Sequence, residues 1–223
     1  MLFLAVFCGF LAEYKLEHTI EHQRGKKLIK SLIGDLKTDI ASFKFYIYKT
    51  NRSMVKFDSL FSFLENYRPG DPATHIYGIM RQGIDWGPLR FSTGTLQQLK
   101  NAGGFRLIRK QSVIDSIQLY EKFCNQLIEI DERISRLQMD YRDLLEEIAD
   151  ARFLKYTRLN YELNSIPQKE TLLPASKEIL NKVLIKIDFI INNEFVSLNS
   201  SLPPLRAGAE KLIEFLKKEY HLE

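Results

Sequence analysis

The sequence is poor in the residues that break or staple a chain. Only two cysteines occur among 223 residues, Cys8 and Cys124, with no repeated spacing around them, so neither a disulfide framework nor a cysteine-based zinc site is indicated. Both lie on apolar stretches and are expected to be buried as small hydrophobes. Proline is limited to seven positions, the first at Pro69, which leaves the first part of the chain free to form long helix. The longest uncharged apolar run, residues 1–12, covers only about 18 Å as a helix, whereas a bilayer core of about 30 Å needs roughly twenty residues. No basic region precedes it, and Phe7 rather than a small residue precedes Cys8, which argues against a signal peptide and a lipoprotein site. Nucleophile elbow, dinucleotide fingerprint and Walker loop are all missing. The chain is therefore read as a non-enzyme, and no cofactor is implied.

What the sequence does contain is charge placed unevenly and apolar residues placed periodically. The net charge is +4, yet residues 1–56 hold ten Lys/Arg against five Asp/Glu, leaving 22 against 23 for the remainder. A basic arm that follows an apolar segment fits an anionic lipid surface better than nucleic acid, and no nucleic-acid partner is expected. From Val113 through Ile117, Tyr120, Cys124, Leu127, Ile130, Ile134, Leu137, Tyr141, Leu144 and Ile148 to Ala151, apolar residues recur every three or four positions without Pro or Gly. That spacing predicts one long bundle helix, the rod on which the rest packs.

Along the chain, Leu28, Ile29, Leu32, Ile33, Leu36, Ile40, Phe43 and Ile47 predict a stalk and first bundle helix. Asn51 and Ser53 read as start signals for a second helix over 54–67. Residues 73–94, rich in glycine and aromatics, read as an irregular segment folded onto the bundle. A short helix over 95–102 is capped by Ser92 or Thr93 and closed by Gly103 in the left-handed conformation. The long helix is expected to fade near Leu163. Residues 179–191 fit a helix, although Val183, Ile185, Ile187, Phe189 and Ile191 also alternate like a strand; helix is preferred because a lone strand would leave its ladder unpaired. Pro203-Pro204 is expected to separate a final amphipathic helix. The fold class is all-α: an elongated helical bundle with one long central, coiled-coil-like helix and an N-terminal membrane-anchor/stalk helix.

Two clusters carry chemistry. His18-Thr19-Ile20-Glu21-His22 satisfies the H-x-x-E-H spacing of a zinc peptidase class, two histidines one turn apart with a glutamate as general base. A third ligand and a cleft are also needed, so the plainer reading is a polar stalk, with incidental metal binding by His18 and His22. Arg106, Arg109 and Lys110 bracket Leu107-Ile108 closely enough to hold a phosphate or carboxylate, with Trp86 in the preceding segment as a wall. The plainer reading there is a solvated basic turn over a buried Leu107 and Ile108. His75 and His221 have no recognisable partners.

Leu4-Ala5-Val6-Phe7-Cys8-Gly9-Phe10-Leu11-Ala12-Glu13, then Ser31-Leu32-Ile33-Gly34-Asp35-Leu36-Lys37-Thr38-Asp39, then Thr95-Leu96-Gln97-Gln98-Leu99-Lys100-Asn101-Ala102-Gly103-Gly104-Phe105-Arg106-Leu107-Ile108 followed by Ile117 and Tyr120, resemble an uncharacterised family of bacterial single-pass membrane-anchored helical proteins. The resemblance implies a short basic segment, one span and a helical domain beyond it. On that pattern residues 1–12 are the C-terminal part of a span whose first half lies upstream of Met1, 13–27 a stalk and 28–223 the bundle domain. It further implies a bacterial inner-membrane protein with a periplasmic domain, whereas the basic residues after the apolar run taken alone favour the cytoplasmic side. The expected partners are the lipid bilayer through the N-terminal segment and either a second copy of the chain, in a homo-oligomer, or another envelope protein. The expected role is structural or interaction-based; the alternative is a ligand-sensing bundle with an anion or small-molecule pocket near residues 73–110.

Overall fold

The computed structural model describes residues 2–82, 89–101, 103–154 and 170–222. The elements are α1 (Leu2–Asn66), α2 (Thr74–Gln82), α3 (Gly94–Asn101), a 3-10 turn (Gly104–Leu107), α4 (Gln111–Leu145), α5 (Ala151–Leu154), α6 (Lys177–Val196), a π-helical turn (Ser197–Ser201) and α7 (Leu202–Tyr220). The described residues contain no strand, so the fold is all-α. The alternating stretch near Ile187 lies inside α6, as its three-or-four spacing predicts.

The longest helix is α1, at 65 residues, and not the rod that the sequence pattern singles out. Asn51 and Ser53 do not start a second helix. Asn51 turns its amide back to the Ile47 carbonyl at 3.0 Å, and Ser53 donates to Glu194, so each satisfies its polar group inside a continuing helix. α1 stops where Gly70 takes a positive φ of 96° and Asp71 closes a turn onto the Arg68 amide. α4 ends at Leu145, short of the predicted Leu163. Beyond it the backbone has other partners: the Asp150 N–H donates to the Tyr77 hydroxyl, the Leu173 N–H donates to the Ile148 carbonyl, and Asp150 caps α5 through the Arg152 N–H. The start of residues 73–94 forms α2, and Gly103 has the predicted left-handed φ of 67°.

Contacts divide the chain into two compact units. The first holds Met1–Phe43, Arg90–Cys124 and Pro204–Glu223. Its core is made by Ile29, Leu32, Leu36 and Phe43 of α1, Leu99 of α3, Val113, Ile117 and Tyr120 of α4, and Leu205, Ala209, Leu212 and Leu216 of α7. Here α1 and α4 run the same way, since Gly25 meets Leu107 and Asp39 meets Tyr120, while α7 runs against both, with His221 beside Lys26. A Cβ built on Gly25 would lie 2.6 Å from the Leu107 carbonyl oxygen, whereas one on Gly34 meets nothing within 4 Å. Gly25→Ala is therefore expected to cost about 1–2 kcal/mol, the overlap with fixed backbone outweighing the gain in helix propensity. Gly34→Ala should stabilise by up to about 1 kcal/mol. Thermal midpoints of the two variants moving in the same direction would contradict this packing.

The second unit holds Lys44–Leu89 and Asn125–Pro203. Phe57, Leu60, Leu64, Tyr141, Ile187 and Ile190 form its centre, with the Phe57 and Tyr141 rings edge to face at 5.3 Å. Tyr77 of α2 ties the surrounding backbone together, accepting from Asp150 N–H at 3.0 Å and donating to Thr171 C=O at 2.9 Å. Among the described residues no helix is long and apolar enough to cross a membrane.

Candidate functional site

The basic turn after the 3-10 helix is where the structure gathers most of the sequence-predicted site residues. Leu107 packs against the bare Cα of Gly25, and Ile108 is buried. Arg109 Nη2 lies 3.0 Å from His18 Nδ1 and 3.3 Å from the His18 carbonyl oxygen. A guanidinium only donates, so Nδ1 is the acceptor and the imidazole proton sits on Nε2. Lys110 pairs with Glu219 of α7. Arg109 and Lys110 thus link the turn to α1 and α7, while Arg106 is exposed. Trp86, the expected wall of an anion pocket, lies outside the described residues.

His18 and His22 are exposed and Glu21 half-buried on the N-terminal part of α1. The permanent cation of Arg109 on His18 opposes a metal dication there, and the described residues include no group of three or more His, Cys, Asp or Glu side chains arranged to hold a metal. His75 stacks edge to face on Phe63 at 5.4 Å.

Among the described residues four acids are buried that sequence reasoning missed, Asp39 in the first unit and Asp131, Asp150 and Glu194 in the second, with Asp131 accepting from the Leu89 amide at 3.0 Å. In the first unit Asp39 accepts from the Ser92 amide and the Tyr120 hydroxyl, both at 2.8 Å, while one turn away Asp35 accepts from the Thr95 amide at 3.2 Å. The first-turn amide of Thr95 is therefore held by Asp35 and the Ser92 amide just before α3 by Asp39, while the Thr93 carbonyl accepts the Gln97 N–H at 2.9 Å. Burial raises the Asp39 carboxyl above the ordinary range against the lowering effect of these bonds. Cys124 is buried as expected, and burial pushes its thiol up to about 12, which removes it as a nucleophile near neutral pH. Cys8 is exposed, contrary to expectation, because the N-terminal part of α1 has nothing packed over it among the described residues.

In the second unit a polar layer crosses the core. Glu194 is fully buried and accepts from Ser53 Oγ at 2.8 Å through Oε1, while Oε2 has no hydrogen-bond partner among the described residues. Tyr46 and Ser197 share a hydrogen bond of 2.7 Å, with Ser197 at the first position of the π-helical turn. Gln138 stands one turn before Tyr141 on α4, as Ser53 stands one turn before Phe57 on α1, and its Nε2 is also unpaired. Burial pushes the Glu194 carboxyl up to about 8, so it is largely protonated at neutral pH.

The signal for Asp39 and Glu194 was present in the sequence. Asp39 occupies the stripe position between Leu36 and Phe43, and Glu194 the one between Ile190 and Ser197. A charged residue on an apolar stripe is buried with a partner or a shifted proton, and is more informative than one on a solvated face.

Compared with protein-family models, curated proteins and solved structures, the chain matches none.

Proposed function

We propose that the chain is a membrane-attached helical bundle that acts as a structural or protein-interaction component, with the apolar start of α1 as its attachment and the bundle units as its contact surfaces. The observation that carries this reading is the contrast along α1. Phe3, Val6, Phe10, Tyr14 and Leu16 are 82%, 66%, 65%, 61% and 62% exposed, whereas from Ile29 onward the helix buries one face completely. An exposed aromatic and aliphatic helix of this kind loses favourable burial in water and recovers it in lipid. Its resemblance to the bacterial membrane-anchored family supports the same reading, with the bundle in the periplasm.

The second unit supplies contact surfaces. Phe45, Tyr48 and Val55 follow one another on the outer face of α1, and Ile185, Phe189 and Val196 on that of α6, each stripe turned away from the buried positions of its own helix. Outward stripes at helical spacing suit a second copy or another helical envelope protein.

Attachment and assembly are tested together. The chain should remain in the membrane fraction after a carbonate wash and, in mild detergent, have a protein mass above one chain by sedimentation. Recovery in the carbonate supernatant would overturn attachment; a single-chain mass at high concentration would overturn self-association.

A further inference from the structure

We infer that the basic turn at residues 106–110 is a headgroup-binding collar, with Arg106 and Arg109 engaging anionic lipid phosphates at the surface of the bilayer that holds the start of α1. This rests on the membrane reading above and adds a ligand chemistry to it. The geometry follows from the Arg109–His18 contact. His18 is six residues beyond Ala12, where the uncharged run ends, which on an α-helix is about 9 Å. The headgroup layer of one leaflet is about 5–7 Å thick, so a guanidinium tied at the level of His18 lies at its outer edge. Tyr14 and Lys15 fall within the layer, the positions where amphipathic side chains anchor a membrane helix.

Only Nη2 of Arg109 is committed to His18. The Nε and Nη1 donors lie on different edges of the guanidinium, and each is left to give a single charge-assisted hydrogen bond to a phosphate oxygen. Arg106 is exposed in the adjoining 3-10 turn, and Gly103, with its left-handed φ of 67°, lets that turn start tightly. Gly25 holds the turn against α1 by permitting contact with the Leu107 carbonyl. Turn and anchor helix are therefore fixed to one another within the first unit, and the cations are held near the surface instead of trailing on a loop. Nearest the bilayer α1 itself carries Glu13, Lys15 and Glu17, so Arg106 and Arg109 are the charges that turn the sign there positive; Arg24, Lys26, Lys27 and Lys30 lie about 18–27 Å beyond Ala12, past the screening length of about 8 Å.

The test uses the full chain reconstituted into phosphatidylcholine vesicles carrying trace spin-labelled phosphatidylglycerol or spin-labelled phosphatidylcholine. Electron spin resonance then reads the fraction of each label immobilised by the protein. The anionic label should be favoured about fivefold, the worth of one cation at an anionic surface. The preference should vanish at about 1 M salt, where the screening length is about 3 Å, and should fall to parity in the triple variant Lys15→Gln, Arg106→Gln, Arg109→Gln with its helical circular dichroism retained. Parity for the unmodified chain, persistence at high salt, or persistence in the triple variant would each overturn the collar. Should the triple variant not fold, the salt series on the unmodified chain decides alone. A chain that floats with the vesicles but shows no headgroup preference defeats this inference only, whereas one that does not float with them defeats the membrane reading as well.

Discussion

Glu194→Gln should make the protein more stable, and increasingly so as the pH rises. Glu194 has its carboxyl raised from 4.5 to about 8 by burial, with Ser53 the one donor to it among the described residues. Below about pH 4.5 the folded and unfolded chains both hold the proton, so the buried carboxyl imposes no charge penalty. Between that pH and about 8 the unfolded chain releases the proton while the folded chain keeps it, and stability falls by about 1.4 kcal/mol per pH unit. By pH 8 the accumulated cost is on the order of 4–5 kcal/mol. Glutamine keeps an oxygen for the Ser53 hydroxyl and has no proton to lose. Urea unfolding across pH 4 to 9 should therefore give two stability curves that nearly coincide at the acid end and diverge by several kcal/mol above neutrality. Curves that stay parallel would mean that Glu194 ionises as readily in the folded protein as in the unfolded chain.

Asp39→Ala should cost about 3–5 kcal/mol, because it leaves the Ser92 amide and the Tyr120 hydroxyl without their acceptor. Tyr120 is buried and Asp39 is only 2% exposed, so water does not readily replace the carboxylate. The loss should also be visible locally. Exchange of the Ser92 and Thr95 amide protons, which α1 protects through Asp39 and Asp35, should accelerate more than exchange in the α1 core around Leu36. Asp39→Asn, which keeps an acceptor oxygen, should cost less than the alanine. A loss below about 1 kcal/mol in Asp39→Ala, or unchanged exchange at Ser92, would show that these bonds do not hold the start of α3.

Periodicity made the helices legible because burying one face is a local matter of three-or-four spacing. It placed α4 from Val113 onward and chose helix for α6, where a strand was the competing pattern. It failed where a local signal competed with a distant partner. Asn51 and Ser53 have the side chains of helix starts, yet Asn51 bonds back to Ile47 and Ser53 meets Glu194, 141 residues away. Ile148 lies on the α4 stripe, but Tyr77 and Leu173 capture the backbone around it and the helix ends earlier. The cluster Arg106, Arg109 and Lys110 was visible as charge; that Arg109 is tied to His18 and Lys110 to Glu219 was not, since no local rule specifies pairs 91 and 109 residues apart. Asp35 and Thr95, 60 residues apart, likewise meet in a bond that no local rule specifies.

The π-helical turn at Ser197–Ser201 changes how the end of the chain is counted. Buried positions on α6 step from Val183 to Ile187, Ile190, Glu194 and Ser197, and on α7 from Leu202 to Leu205, Ala209, Leu212 and Leu216. Every step is three or four residues except the one of five between Ser197 and Leu202. The wide turn absorbs the surplus residue, bonding the Leu202 N–H to the Ser197 carbonyl, and Pro203 and Pro204 then occupy the opening turn of α7, where a missing N–H is tolerated. The helical path continues where Pro203-Pro204 alone would predict a break. In genetic terms, the turn carries at least one codon more between buried Ser197 and buried Leu202 than the three- or four-residue steps on either side of it use.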